Sequence, residues 1–550
     1  MVAQLPSPAG PGALQGRRGT IRAPDSDETK FLVPCLPAAV VLTTADAMSD
    51  ATTYDVLIVG AGINGAGIAR DAAGRGLAVI LVEQDDIASA TSSWSTKLIH
   101  GGLRYLEHYE FRLVAEALAE REVLLHAAPH LIEPLEFVLP HEPHLRRAWM
   151  IRAGLFLYDR LGGRMTLPRS RGVRLDHSRY GAGLKPRFRR GFVYSDAQVD
   201  DARLVVTNAV DARARGADIQ VGVRFLGATR EDGAWRASVD GPQGAATLRA
   251  RAIVNAAGPW VQDVLSTVRG VTLNARVRHV KGSHIVVPRV HAQAHAYILQ
   301  NADQRIVFVI PWLDRYSLIG TTDVAVEDYD DPPITDDEVR YLLGLANEYL
   351  AAPLRRDDIV WTYSGVRPLY DDGSSDPSAI TRDYVLKSDA LPGPPGADRA
   401  PLLSVYGGKI TTYRKLAEHA LAELAPFFPR IGAPWTRDAV LPGGDLPGGR
   451  EAFIADLVAR HAMLSKDVVT GIARRHGAAS LQLLSGVRSA ADMGEDFGGG
   501  LTERELAWLV EHEWARDADD VLWRRTKCGL PMTPAQRARV AQRMDAHARA

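Results

Sequence analysis

The sequence predicts an α/β fold: a Rossmann-like nucleotide-binding domain, a β-rich subdomain set into it, and an all-α domain at the C-terminus. Three observations carry the prediction. Residues 54–83 read strand, glycine turn, helix, strand. The stretches HIVVP, RIVFVIPW and YSLIGTTD within 284–323 read as strands of a second sheet. Residues 450–550 are helical in pattern almost throughout.

Composition bounds the function classes. A chain of 550 residues with 46% hydrophobic residues has material for several packed cores, which excludes a single small domain. Its 65 Lys+Arg against 66 Asp+Glu lack the basic excess of a dedicated nucleic-acid binder. Cys35 and Cys528 are the only cysteines, so there is no disulfide framework and no paired-cysteine zinc motif. No run reaches the ~20 apolar residues of a spanning helix. Residues 31–44 (FLVPCLPAAVVLTT) follow several basic residues and imitate a signal peptide, but two prolines and the nearby Asp25, Asp27 and Glu28 spoil the likeness. Residues 1–47 are expected to be a disordered leader or to precede the true start at Met48.

In chain order, DVLIV (55–59) is a buried strand, 60–65 a glycine turn, 66–75 a helix and AVILVE (78–83) the second strand. An amphipathic helix is expected from Glu110 to Ala127, stopped by Pro129, then an irregular Pro- and Arg-rich region to about 191. A strand-rich return spans 195–260, the second sheet 284–323, and a helix 336–351. The Pro/Gly passages 391–401 and 442–449 are connections, the second a domain boundary. Thr533 and Pro534 supply an N-cap and a first-turn proline to the last helix. These signals divide the chain into a discontinuous nucleotide-binding domain (48–130, 195–275, 365–430), a substrate subdomain (131–194, 276–364) and a helical domain (440–550).

Gly60, Gly62 and Gly65 stand as G-x-G-x-x-G between strand and helix, and Glu83 ends the next strand 18 residues later. Such glycines allow a tight turn and close approach of a pyrophosphate to the helix N-terminus, while the acid accepts ribose hydroxyls and disfavours a 2′-phosphate. FAD and NAD both satisfy this motif; NADP does not.

A set of longer motifs is more specific. TSSWSTKLIHGGLRYLE (91–107), IVNAAGPWV (253–261), KGSHIVVP (281–288), YSGVRPL (363–369), TRDY (381–384) and YGGKITTYRKLAEHA (406–420) occur in this order. Together they resemble the FAD-dependent, aerobic respiratory glycerol-3-phosphate dehydrogenases of bacteria, from about residue 52 to the C-terminus. The resemblance implies an FAD-binding domain of the glutathione-reductase/D-amino-acid-oxidase type with FAD bound non-covalently, His100 being a position to check for a flavin link. It implies that Gly60, Gly62, Ile63, Asn64, Gly65 and Glu83 hold the ADP part, and that Thr91, Ser92, Ser93, Lys97, Leu98, His100, Gly101 and Gly102 run beside the pyrophosphate and flavin. Ala257, Gly258 and Trp260, and Gly408, Lys409 and Thr411, would complete the cofactor site.

The implied reaction oxidises sn-glycerol 3-phosphate to dihydroxyacetone phosphate, with hydride passing from C2 to the flavin N5. Arg104, Tyr105, Arg367, Arg382 and Lys409 lie in motifs resembling the family's substrate pocket, and guanidinium and ammonium groups suit a phosphate. His284 is the candidate base, because an unperturbed imidazole titrates near neutrality; the alternative is a strand histidine bonded to backbone. Arg367 would stabilise the developing alkoxide.

Residues 145–191 carry thirteen Lys+Arg and two acids. Within them AWMIRAGLFLYDRL (148–161) suits a helix lying on an anionic leaflet or, alternatively, a core helix with arginines ringing a substrate funnel. The resemblance implies peripheral attachment to the cytoplasmic side of the inner or plasma membrane and electron delivery to ubiquinone or menaquinone, and it is compatible with a homodimer. Neither a metal site nor nucleic-acid binding is expected: Glu511, Glu513, Asp517, Asp519 and Asp520 read as a solvated acidic helix. The rival readings are a glycerol-3-phosphate oxidase using dioxygen and a related FAD amine or amino-acid oxidase.

Overall fold

The computed structural model describes residues 53–142, 147–271, 275–301, 305–371, 383–389 and 400–549. The leader 1–47 and most of the passage 391–401 lie outside the described residues.

Two sheets organise the chain. The first has eight strands: six in the order Val385–Ser388, Leu402–Tyr406, Gly244–Asn255, Thr53–Val59 (β1), Val79–Glu83 (β2), Asp218–Val221, and the pair Arg224–Glu231 and Ala234–Gly241, the latter joined to Gly244–Asn255. Its centre is parallel, β1 lying between β2 and the end of Gly244–Asn255. Parallel strands linked by crossover helices are covered on both faces, which explains the unbroken apolar run VLIV. On one face Ile58, Leu81 and Val254 pack with residues of the helices Ile63–Gly74 (α1), Asp201–Ala214 and Tyr413–Leu424. On the other, Leu57, Ile80 and Ile253 pack with Trp235 of the hairpin Arg224–Glu231/Ala234–Gly241.

The second sheet has ten strands; Arg276–Pro288 pairs antiparallel with both Tyr316–Gly320 and Trp361–Asp371. The helix Asp336–Tyr349 covers one face through Val339, Leu342 and Leu345. The helices Phe111–Ala127 and Ala148–Leu161 cover the other through Val114, Leu118, Ile151 and Leu155. Residues expected to be irregular contain the strand Ile132–Pro140, paired along its length with Arg190–Val199; the helix Ala148–Leu161 is the one expected over 148–161. Residues expected to be strand-rich contain the helix Asp201–Ala214. That helix is buried on nearly every side, so its sequence shows no polar face to mark the helical period.

The C-terminal part is mainly helical, with the helices Arg450–Arg460, Lys466–His476, Glu503–Glu513 and Pro534–Ala548 around cores at Leu457/Ile472 and Leu509/Val540. A short hairpin, Asp496–Gly498 with Leu501–Thr502, interrupts it. The expected solvated acidic helix is corrected for two of its members. Glu513 and Asp520 are buried and ion-paired with Arg203 and Arg524. Glu513 meets Arg203 across 310 positions of sequence, and a pairing of that range leaves no mark in a local charge pattern.

Candidate active site

The strand β1 delivers the chain into the glycine turn, and α1 leaves it with Gly62 as N-cap, without a side-chain cap and without an acid in its first turn. The Ile63 N–H is donated to Ser92 Oγ at 3.0 Å; the next amides, at the positive end of the helix dipole, suit an external anion. Gly65 is needed for close packing, because a Cβ there would lie 1.9 Å from the Gly60 carbonyl oxygen. The Glu83 carboxylate at the end of β2 accepts N–H bonds from Ala61 (2.7 Å) and Asp85 (3.0 Å). Burial pushes this carboxyl up to about 7, against those two donors, which favour its charged form.

A cavity of about 1020 Å³ opens here, lined by Gly60, Gly62, Ile63, Asn64, Glu83, Thr91, Ser92, Ala257, Gly258, Trp260 and Gly408 among others. A second, of about 1580 Å³, is lined by Leu98, His100, Gly102, Arg104, Tyr105, Arg367, Gly408, Lys409 and Thr411 among others. The two share Ile63, Thr91, Ser92, Pro368, Gly407 and Gly408, so they form one elongated cleft with an acidic end and a basic end. Asn64 Nδ2 donates to the Gly407 carbonyl at 3.1 Å, and Thr91 Oγ1 to the Val366 carbonyl at 2.6 Å, which ties the turns together at the waist.

Four residues expected beside the cofactor do not line the cleft. Gly65 packs beneath the turn. Ser93 Oγ donates to the Ala88 carbonyl. Lys97 is buried, its ammonium bonded to Asp201 (2.8 Å) and the Ser93 carbonyl (2.9 Å), and Gly101 is buried, donating to Tyr158 Oη.

At the basic end, Arg367 lies on the strand Trp361–Asp371 opposite Val280. Its guanidinium donates to Asp323 Oδ1 (2.7 Å) and Thr321 Oγ1 (3.2 Å). Gly282 makes room for it, since a Cβ there would lie 2.4 Å from Arg367 Nη2. The Lys409 ammonium sits 3.8 Å from the centre of the Tyr105 ring. It is buried, with no hydrogen-bond partner among the described residues. His100 is pushed down to about 4 by burial and by the Lys409 charge. Arg382 lies outside the described residues.

His284 is buried one side chain behind the wall. Its Nε2 is 3.0 Å from Oγ1 of Thr96, which does line the cleft, and its ring stacks on Tyr363. Burial, with Arg367 and Lys97, holds it well below the ordinary imidazole value, so it is neutral. Its side-chain partner is a hydroxyl rather than backbone. The sequence motifs did not single out Thr96, Thr321 or Asp323. The last two lie at the end of the segment YSLIGTTD, where alternation marks the strand but nothing marks Thr321 and Asp323 as facing a cavity. The described residues hold no cluster of metal ligands.

Residues 55–414 match the family described as FAD dependent oxidoreductase. The chain belongs to that family. FAD is accordingly the cofactor, and the residues fit it: a helix start whose N-cap residue supplies no side-chain cap, an acid at the strand end, and two cavities that share a wall at Ile63, Thr91, Ser92 and Gly408. Residues 435–548 match the C-terminal domain of alpha-glycerophosphate oxidase. A glycerol-3-phosphate dehydrogenase of Pseudomonas aeruginosa is 54% identical over 497 residues, 90% of this chain and 95% of that one. The aerobic glycerol-3-phosphate dehydrogenase of Escherichia coli is 53% identical, covering 89% and 97%, and the D-erythritol 1-phosphate dehydrogenase of Brucella abortus 48%, covering 90% and 99%. The crystal structure of the Bacillus halodurans glycerol-3-phosphate dehydrogenase with FAD shares the fold of this family member, with a TM-score of 0.66 at 24% identity over 91% of this chain and 95% of that one.

Proposed function

We propose that the protein oxidises sn-glycerol 3-phosphate to dihydroxyacetone phosphate and passes the electrons to a membrane quinone. The observation that carries the substrate class is the Lys409 ammonium: buried against the Tyr105 ring, without a hydrogen-bond partner among the described residues, and belonging to a residue that lines the cleft together with Arg104 and Arg367. A buried cation is costly unless paired, so the pocket is completed by an anion. The relatives named for sn-glycerol 3-phosphate and for D-erythritol 1-phosphate both act on polyol phosphates, and the former are the more similar.

Bound FAD supplies the acceptor for the hydride that leaves C2 while the C2 hydroxyl loses its proton. Arg104, Tyr105 and Lys409 clamp the phosphate and thereby fix C2 along the cleft. Arg367, oriented by Asp323, donates to the reacting oxygen and stabilises its developing charge. His284 takes the hydroxyl proton through Thr96, whose Oγ1 stands between its Nε2 and the cleft. At the other end Glu83 accepts the ribose hydroxyls and the start of α1 holds the pyrophosphate.

Membrane attachment is assigned to the helix Ala148–Leu161. Ile151, Leu155 and Tyr158 face the core, but Trp149 (66% exposed), Met150 (50%) and Phe156 (53%) face outward beside Arg147, Arg152 and Arg160. Apolar and basic residues on one exposed face suit an anionic lipid surface. No helix among the described residues is long and apolar enough to cross a membrane. Tyr158 Oη, on the buried side of the helix, receives the Gly101 N–H next to His100 at the cleft wall, so the helix lies near the reacting end.

The test is an anaerobic visible spectrum during addition of sn-glycerol 3-phosphate, followed by a soluble quinone or oxygen. Bleaching by this substrate and faster recolouring by quinone is the expected result. A yellow protein indifferent to the substrate rejects the substrate assignment, and faster recolouring by oxygen rejects the acceptor.

A further inference from the structure

No residue beyond Thr411 lines either cavity among the described residues, yet one segment of the helical C-terminal part supports two of the loops that border the cleft. The first is the loop after β2, whose Glu83, Gln84 and Asp85 line the acidic end. The next residue, Asp86, is buried and accepts from Arg524 Nε (2.5 Å) and from Arg525 Nη1 and Nη2 (2.6 and 2.7 Å). Burial alone would raise the Asp86 carboxyl, but Arg525 and Arg524 hold it below its ordinary value. Arg516 donates to the Asp85 carbonyl at 3.1 Å.

The second loop carries Trp94, Ser95 and Thr96, which line the basic end. Asp201 accepts from Ser95 N–H (3.2 Å) and Ser95 Oγ (2.7 Å), and the preceding Asp200 is ion-paired with Lys527. Trp523 stacks on Trp361 with ring centres 5.1 Å apart, and Trp361 meets Trp94 edge-on at 5.9 Å. Residues 516–527 therefore hold the first loop directly and back the second through Asp200 and Trp361, and both loops line the cleft. A ligand bound by preformed loops loses less ordering entropy on binding.

We propose that this segment, through Arg524 and Arg525 on Asp86 and Lys527 on Asp200, is a positioning strap that sets FAD affinity without touching FAD. The inference rests on the FAD reading of the cleft.

The measurement is the FAD dissociation constant of the full-length chain, by recovery of quenched flavin fluorescence, with thermal melting as a folding check. Arg525→Met and the milder Asp86→Asn should each weaken FAD binding at least about tenfold. KM for sn-glycerol 3-phosphate at saturating FAD should stay within about twofold. Arg450→Gln removes an equally long-range ion pair, to Glu133, that borders neither loop; it should lower melting without changing FAD affinity. Wild-type FAD affinity in Asp86→Asn, or equal weakening in Arg450→Gln, overturns the strap. A wild-type protein that binds no FAD overturns instead the cofactor reading beneath it.

Discussion

The two ends of the cleft are built by opposite means. At the acidic end the turn, the helix start and the carboxylate are local, all supplied by Gly60 to Ser92, while distant residues such as Phe225, Trp260 and Gly408 complete the wall. The basic end gathers Arg104, Tyr105, Arg367 and Lys409 from positions some 300 residues apart, and sets these charged and aromatic side chains among aliphatic, hydroxyl and glycine neighbours. A cofactor that is the same in every turnover is read by main-chain geometry; a substrate is discriminated by side chains that only tertiary structure brings together. The ends should therefore fail differently when altered.

The acidic end should fail completely and through the cofactor. Gly65→Ala puts a methyl 1.9 Å from the backbone oxygen of Gly60, which no rotamer can relieve. The purified variant should lack flavin absorbance; a yellow protein with stoichiometric FAD would show that the turn has room to move. The basic end should fail through turnover with flavin retained. His284→Ala removes the proposed proton acceptor behind Thr96, and kcat should fall by roughly 10²–10⁴ with KM little changed, the usual worth of a positioned acid–base group. Unchanged kcat would leave His284 a structural partner of Thr96 and Tyr363.

Lys409→Met separates binding from chemistry at the same end. Loss of one member of a buried charge contact costs about 2–5 kcal/mol, so KM should rise by roughly 30-fold or more, with FAD content unchanged. Because the ammonium has no hydrogen-bond partner among the described residues, removing it orphans no carboxylate there, and the flavin-free protein should melt no lower than wild type. A lower melting point with unchanged KM would make Lys409 a packing residue on Tyr105.

The same contrast explains how much was legible in sequence. Gly60, Gly62 and Glu83 were readable because a turn, a helix start and a strand end succeed one another within thirty residues. Arg104, Arg367 and Lys409 were visible only through resemblance to a family, since nothing in their spacing says that they meet. Lys97 shows the limit of that route: it sits inside a cofactor-loop motif, yet its ammonium is turned inward to Asp201. Asp323 and Thr96 went unseen because their roles depend on strand pairing and on His284 lying behind the wall. Asp86 and Arg525 are 439 positions apart, beyond any local pattern.

The smallest predicted effect tests the acidic end by pH. In the flavin-free protein Glu83 is raised from 4.5 to about 7, so between those values the folded chain holds a proton that the unfolded chain has released. Stability from this group is full below the lower value and is lost as pH rises towards the upper one. Glu83→Gln has no such proton, so the melting temperature of wild type minus that of the variant should fall between about pH 5 and pH 8, by on the order of 2 °C. Bound FAD should flatten the slope, because ribose hydroxyls donating to the carboxylate favour its charged form and pull its pKa back down. A slope unchanged by FAD would place the ribose elsewhere and leave Glu83 as no more than a cap on the turn at Ala61, whereas a slope absent even without FAD would mean that water reaches the carboxylate in the open cleft.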